Sequence, residues 1–566
     1  MIQLNDWLSI DKAVGEGDDI ITLTATSSKE LEERVASLKI NGINITSLVS
    51  IKQDALIPSF TITPTPIILT SDGEEVEITI TGNVSWELVA DEWVTISNKY
   101  GNVYDEPLTK TIKISASLNT GDFRECDLKV KAFASDVVFA NVKIMQEAFD
   151  ATDYVQMIYE TTNDNETLYL FNESANGYLT KNVGSSSSAI WRNSDKVKII
   201  VIDGSIYIPS DYSFTSPLRD GFIMPNAGEH YVYVKFTDDT INPSMFTSSS
   251  YPAFYENSQL KSITIPPYYE TKGNNSGYGL FCRCDKLQYV NMNGVLSYIG
   301  TKSDSELQAK AATFRGCESL ETVLNFRLED SVLQYSLCSD CKSLKTFTIY
   351  NDEIPKNIGD YAFANCKNLS NDFLINYIHN KEIYSIGMYA FSNCKLFEGE
   401  NGVVNLSNIR LGSGSFGYCN FKTVYANEGY NAFNGCGETL YILGTNPWGI
   451  SNSTFRKVIC MGLLNPFSTN WLSSNYLEEI EFMSEEQQDM RYESSDGKDW
   501  NGKFNEIPNL KKITFHSMLP PIINYNTFEG VPYNGTLVYP KDADYSQLTS
   551  TDEYYLGYYN WTFVEK

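Results

Sequence analysis

One short phrase, written repeatedly, constrains this chain more than any other feature. Residues 358–369 read IGDYAFANCKNL, and 28 residues later IGMYAFSNCK follows at 386–395. Aligned on the Phe-x-x-Cys step, the phrase returns as GLFCRCDKL (279–287), ATFRGCESL (312–320), SLCSDCKSL (336–344), GSFGYCNF (414–421) and NAFNGCGETL (431–440). Worn copies are PAFYENSQL (252–260), STFRKV (453–458) and NTFEGV (526–531). The recurring cysteines, Cys284, Cys317, Cys341, Cys366, Cys394, Cys419 and Cys436, fall 17 to 33 residues apart. That is the period of solenoids, whose units cannot bury an apolar face alone and therefore stack.

A second signature follows the cysteine: Leu-x-x-apolar-x-apolar, as in LKSITI (260–265), LQYVNM (287–292), LKTFTI (344–349), LEEIEF (477–482) and LKKITF (510–515). Alternation with β-branched and aromatic residues predicts a short strand buried on one face. Each unit thus carries a turn with Ala-Phe, then Cys, then a strand, and stacking lines up Phe, Cys and Leu in one core.

Ten of the eleven cysteines lie between Cys282 and Cys460. At the repeat step Asn257, Val458 and Val531 stand in for cysteine, which excludes an obligatory chemical role and predicts a small buried packing residue. The clusters Cys282-x-Cys284 and Cys338-x-x-Cys341 would form a zinc site only if brought together. Each contains one repeat-core cysteine, so stacking on adjacent rungs is expected, with no metal and no cofactor.

These residues resemble the BspA-type leucine-rich repeat, found in surface proteins of gut Bacteroidetes and in phages of those hosts. The resemblance spans about residues 200–566. It includes a terminal segment, NTFEGVPYNGTLVYPKDADYSQL to YNWTFVEK, similar to the family's end cap. It implies a curved solenoid with an array of parallel strands, whose loops carry recognition.

Residues 56–149 read differently. EVEITITG (75–82), KTIKISAS (110–117), CDLKVKAF (126–133) and NVKIMQEA (141–148) are alternating strands separated by turn signals, as in an antiparallel sandwich. Their landmarks, Trp86, Trp93, Gly101, Asn119, Arg124 and Gln146, resemble the BACON domain, an immunoglobulin-like module found beside glycan-active domains. The resemblance implies carbohydrate binding, but Trp86 and Trp93 flank predicted strands and are expected in the core. Residues 7–55 replay the latter half: Trp7, Gly15 or Gly17, Ala25, Arg34 and Gln53 follow the order of Trp93, Gly101, Ala116, Arg124 and Gln146. A module without its leading strands exposes an edge and an apolar face, which predicts a docking end covered by another chain. Residues 150–204 form a further β segment with VKIIVIDG (197–204) as its clearest strand.

The expected fold class is mainly β, with N-terminal immunoglobulin-like sandwich modules followed by an elongated leucine-rich-repeat solenoid. The expected divisions are 1–55, a partial BACON-like module; 56–150, a BACON domain; 151–204, a β linker; and 205–566, the solenoid with its cap.

No catalytic constellation stands out. Gly-x-Ser-x-Gly, His-Glu-x-x-His, phosphate-loop and Rossmann patterns do not occur. The three histidines, His230, His379 and His516, are far apart in sequence, which removes most histidine-based catalysis. TTNDNE (161–166) lacks the spacing of a calcium loop and reads as a solvated turn. A net charge of −28 argues against nucleic acid and anionic membrane as partners, and no window has the ~20 apolar residues of a membrane span.

The exposed aromatics are the candidate ligand contacts: Tyr268, Tyr269 and Tyr278, Trp448, Trp471, and Tyr554 and Tyr555 beside Tyr558 and Tyr559. Aromatic faces stack on sugar CH groups while neighbouring amides take the hydroxyls. The expected function is non-enzymatic adhesion to surface glycans or a host receptor, multiplied by copy number in a homo-oligomer. The first residues show neither a basic nor an apolar leader pattern. The favoured context is therefore a phage virion fibre, made in the host cytoplasm and docked to other virion proteins through its N-terminal module. A bacterial surface or secreted adhesin is the alternative, and a purely structural virion decoration protein a third.

Overall fold

The structure is a computed structural model. It describes residues 5–103, 107–133, 136–170, 197–207, 221–236, 240–241, 254–267, 270–271, 280–293, 312–328, 330–427, 431–445, 453–464, 474–491, 504 and 507–566. The chain divides into two compact units, Met1–Asp150 and Ala151–Lys566.

In the first unit, β1 (Leu8–Ile10) pairs antiparallel with β2 (Leu23–Ala25), and β3 (Arg34–Asn41) with β4 (Thr46–Gln53). A two-sheet sandwich follows, built from β5 (Phe60–Thr63), β6 (Ile67–Leu69), β7 (Val76–Gly82), β8 (Trp86–Val89), β9 (Val94–Ile96), β10 (Tyr100–Gly101), β11 (Leu108–Ala116), β12 (Arg124–Ala132) and β13 (Val138–Gln146). Its sheets run β5-β7-β11-β9 and β10-β8-β12-β13-β6. Every pairing is antiparallel except β6 on β13. Inward residues of both sheets, among them Ile78, Ile80, Leu88, Ile112, Leu128 and Ile144, close one core around Trp86. Gly101 is there for space: a Cβ would come within 2.1 Å of the Trp86 ring. Trp86 is core, as its position between strands predicts. Trp93 is half-buried beneath the Arg124 guanidinium, 4.5 Å from its ring centroid.

The second unit begins inside the solenoid's own sheet. Strand Val155–Thr161 pairs antiparallel with Gly228–Phe236 on one side and with Leu260–Thr264 on the other. From Leu260–Thr264 the pairing turns parallel through Tyr289–Asn291, Thr322–Phe326 and Thr346–Ile349. The segment expected as a linker is therefore the sheet's starting cap, a correction that follows from its hydrogen bonds and shared core. A second eight-stranded parallel sheet runs from Val403–Leu406 to Thr562–Glu565. A narrower parallel ladder of two-residue strands, 332–333, 357–358, 385–386 and 410–411, forms another side of the coil. Among the described residues one short α-helix, α1 (Asn371–Tyr377), is capped by the Ser370 side chain, which accepts from the Asp372 N–H, and buries Phe373, Leu374 and Tyr377.

The rungs register through three ladders. Phenylalanine rings stack from rung to rung: Phe254 on Phe281 at 5.4 Å, Phe281 on Phe314 at 5.6 Å, Phe363 on Phe391 at 5.5 Å and Phe391 on Phe416 at 5.4 Å. The cysteines are buried, as expected of packing residues, and they also donate. Cys284 Sγ reaches the Phe254 carbonyl at 2.7 Å, Cys317 that of Phe281 at 2.9 Å and Cys341 that of Phe314 at 3.0 Å. Cys366, Cys394, Cys419 and Cys436 repeat the bond to Cys338, Phe363, Phe391 and Phe416. Asn257, standing where cysteine would, donates instead to the Tyr169 carbonyl and accepts from the Gln259 and Leu260 N–H groups. The third ladder is conformational. The residue before each repeat cysteine, Arg283, Gly316, Asp340, Asn365, Asn393, Tyr418 and Gly435, has φ between 61° and 74°. Gly, Asn and Asp dominate because they enter this left-handed region at least cost. Asn365 Nδ2 also donates to Asp340 Oδ1 at 2.8 Å, and Asn393 Nδ2 to Asn365 Oδ1 at 3.1 Å.

Candidate ligand-binding surface

Strand alternation in the second parallel sheet turns Val404, Val424, Leu440, Val458, Ile480, Ile513 and Leu537 into the core and their neighbours outward. The outward residues align across strands by register: Asn405 opposite Tyr425, Tyr425 opposite Tyr441, and Tyr441 opposite Ile459, which is opposite Glu481. Tyr425 and Tyr441 stack with centroids 4.4 Å apart and planes 15° from parallel. Burial and the neighbouring Tyr441 raise the Tyr425 phenol above its ordinary range.

Beyond Tyr441 the face becomes charged. Lys457 Nζ lies 2.7 Å from Glu481 and 3.8 Å from Glu479, and His516 Nε2 lies 2.9 Å from Glu481 Oε1. Burial alone would raise the Glu481 carboxyl, but hydrogen bonds from Lys457 and His516 outweigh it and hold the group below its usual value.

At the opposite end, Asn405 lies on the edge strand and also lines an open groove of about 520 Å³. The loop after α1 contributes Asn380, Lys381 and Tyr384, and the turn after the edge strand contributes Ser407 and Asn408. Tyr384 is exposed, and its hydroxyl accepts from Arg410 at 3.3 Å. Asn405 Oδ1 accepts from the Ser407 N–H at 3.0 Å, leaving its Nδ2 with no hydrogen-bond partner among the described residues. An aromatic face, several side-chain amides and a stacked tyrosine pair thus share one continuous surface. Its chemistry suits a polar, hydroxyl-rich ligand with apolar CH faces.

The sequence points to other aromatics. Tyr268, Tyr269, Tyr278, Trp448 and Trp471 lie outside the described residues. Tyr554 and Tyr555 are half-buried in the end cap, where Tyr554 packs against Tyr525 at 6.4 Å. Tyr558 is exposed and packs edge-on to Tyr559, whose hydroxyl accepts from the Gly530 N–H. Tyr384, Tyr425 and Tyr441 escaped notice because none stands beside another aromatic residue in the sequence. The available signal was the outward tyrosine in both TVYA (423–426) and TLYI (439–442).

His230 Nδ1 contacts Asp203 Oδ2 at 2.8 Å and its Nε2 contacts Thr161 Oγ1 at 2.9 Å, the connectivity of a hydrolytic triad. Thr161 is only 2% exposed and its hydroxyl also faces the Asn226 carbonyl, so a substrate has no approach to the oxygen. Asp203 further accepts from the Tyr231 N–H at 2.9 Å. The cluster is a clasp between strands. In the TTNDNE turn, burial would raise Glu166, yet the backbone N–H groups of Asn163 and Thr162, with the Gln259 amide and Thr162 hydroxyl, pull its carboxyl down to about 2.

Comparison with protein families agrees with this architecture. The BspA type leucine rich repeat region matches in six copies over residues 235–307, 304–422 and 384–495. BACON, described as an N-terminal binding domain, matches residues 4–54. No curated protein matches the chain. Both families are binding modules, and repeats of the BspA type are typical of cell-surface or secreted proteins. Among the described residues no helix is long and apolar enough to cross a membrane. The chain therefore carries a BACON match at residues 4–54 followed by BspA-type leucine-rich repeats over residues 235–495.

Proposed function

We propose that this chain is a non-enzymatic adhesion protein whose solenoid binds a glycan along the surface from Tyr384 to Tyr441. One observation carries the reading: the amide-lined groove runs, through Asn405, into the stacked Tyr425–Tyr441 pair. A saccharide lies along such a path with its CH faces on the rings and its hydroxyls on Asn380, Asn405 and Asn408. Single-site affinity at an open surface of this kind is weak, and oligomeric copies multiply it.

The context we favour is a phage virion fibre, attached through its N-terminal unit to other virion proteins and exposing the solenoid to a gut bacterial or mucosal surface. All eleven cysteines are buried and free, which suits folding in a reducing cytoplasm, where virion proteins are made. The typical placement of BspA-type repeats favours a second reading, a bacterial surface adhesin.

The test is a glycan array probed with the full chain, then repeated with Tyr441→Ala and with Tyr384→Ala. Binding that both substitutions weaken at unchanged thermal stability supports the reading. An array without any bound glycan leaves structural decoration as the function. Immunogold labelling of purified particles and of intact cells separates virion from cell surface.

A further inference from the structure

We infer that the ligand of the groove beside Tyr384 is anionic: a saccharide bearing carboxylate or sulfate groups, held by Lys356, Lys381 and Arg410 around the Tyr384 ring. This rests on the glycan reading above and names the class of glycan.

The chain carries 71 acidic and 43 basic side chains, so its bases have acids to spare as partners. The second parallel sheet uses them. Just ahead of its strands, backbone hydrogen bonds join Lys422, Glu438, Arg456, Glu478 and Lys511 into one row across successive rungs, and the sign changes at every step. Lys511 Nζ lies 3.0 Å from Glu478. The adjoining row sets Lys457 opposite Glu479 and Glu479 opposite Lys512, with 3.8 Å from each ammonium to the carboxylate. Charge on this face is neutralised within the protein.

The narrow ladder breaks that pattern. The Tyr384 N–H donates to the Lys356 carbonyl at 2.7 Å, and the Arg410 N–H donates to the Tyr384 carbonyl at 3.0 Å. Three successive rungs therefore present Lys356, Tyr384 and Arg410, with no acid between them. The Arg410 guanidinium lies 5.8 Å from the Tyr384 centroid and donates to its hydroxyl. Lys381 joins them from the groove wall. Neither Lys356 nor Lys381 has an ion-pair partner among the described residues. The acids nearby do not supply one. Glu353 accepts from Ser331 Oγ at 3.0 Å, and Glu382, on the groove wall, is exposed and forms no ion pair among the described residues.

A neutral saccharide would use the ring and the amides and leave both lysines without a counter-charge. An acidic one also supplies acceptors for charge-assisted hydrogen bonds, which are about twice as strong as neutral ones. The net charge of −28 opposes an anion only at a distance. Beyond about 8 Å that repulsion is screened at physiological ionic strength, so the charges at the groove decide.

The experiment probes one array with the full chain, each oligosaccharide backbone being printed in neutral, sialylated or uronic-acid, and sulfated forms. The bound members are expected to be acidic, about tenfold or more above their neutral parents. The carboxylated and sulfated arms show which acid group is read. On the bound glycan, Lys356→Gln with Lys381→Gln weakens binding by about tenfold or more, while Lys511→Gln, which removes a base from the alternating row, leaves it unchanged. Neutral bound glycans, equal binding of acidic and neutral forms, or equal losses in the two variants overturn the inference and leave the glycan reading standing. An array without any bound glycan overturns both.

Discussion

The thiol of Cys366 donates to the main-chain carbonyl of Cys338, 28 residues earlier and one rung away, at 3.1 Å. The bond explains why cysteine recurs where alanine would also fit. The turn leaves one carbonyl per rung pointing into the stack, and a buried acceptor without a donor costs about 1–3 kcal/mol. A thiol satisfies it in nearly the volume of a small apolar side chain.

Replacing Cys366 with alanine removes that donor and opens a small void. The expected loss is about 1–3 kcal/mol of unfolding free energy. Cys366→Val, which fills the space but cannot donate, is expected to cost less than alanine, since Val531 occupies this step naturally, its N–H on the Phe528 carbonyl as that of Cys366 is on Phe363, whereas Val458 lies in a strand opposite Leu440. Denaturant unfolding of the two variants checks the order.

The same burial predicts silent thiols. It pushes Cys282 up to about 12 and likewise raises Cys284, Cys338, Cys366, Cys394, Cys419 and Cys436. Because the thiolate is the reactive species, these groups stay unreactive to a disulfide reagent at pH 8. All eleven cysteines of the chain become titratable after denaturation. Fast labelling of any of these seven in the native chain contradicts the stacked core.

The sequence was most legible where chemistry and spacing repeat together. Phe, Cys and Leu in fixed order announced the stack, and the order Trp, Arg, Gln announced the half-sandwich, because each residue has one steric or hydrogen-bonding job. Less was visible where the structure depends on crossing rungs. Tyr425 and Tyr441 meet only through parallel register. Asp203, His230 and Thr161 converge from three strands and turns. The narrow ladder through 357–358 and 385–386 has strands too short to show alternation. The left-handed turn residues were written openly as Asn-Cys, Asp-Cys and Gly-Cys.

Acid should weaken the second unit in two stages. Burial, with Lys381 nearby, lowers His379 below its ordinary 6.5 despite Glu400, and its Nδ1 has no partner among the described residues. The folded chain thus binds fewer protons than the unfolded chain below about pH 6.5, and stability falls there. Glu166, at about 2 against an ordinary 4.5, adds stability that is present above pH 4.5 and lost as pH falls toward 2. That second contribution is small because the group is largely solvated. Thermal unfolding from pH 8 to 2.5 tests the sequence, and His379→Leu should flatten the stage between pH 7 and 5 while leaving the lower one.

The charged end of the sheet face gives an asymmetric prediction. Glu481 is kept ionised by Lys457 at 2.7 Å and His516 at 2.9 Å, against a burial cost that alone would raise it. Lys457→Met strands a half-buried carboxylate with only a histidine beside it. The expected cost is about 1–3 kcal/mol. Glu481→Gln removes the burial cost together with the attraction and should change stability by less than about 1 kcal/mol. Denaturant unfolding of both variants separates them: a loss for Lys457→Met no larger than that for Glu481→Gln would mean that Lys457 does not hold the Glu481 carboxylate.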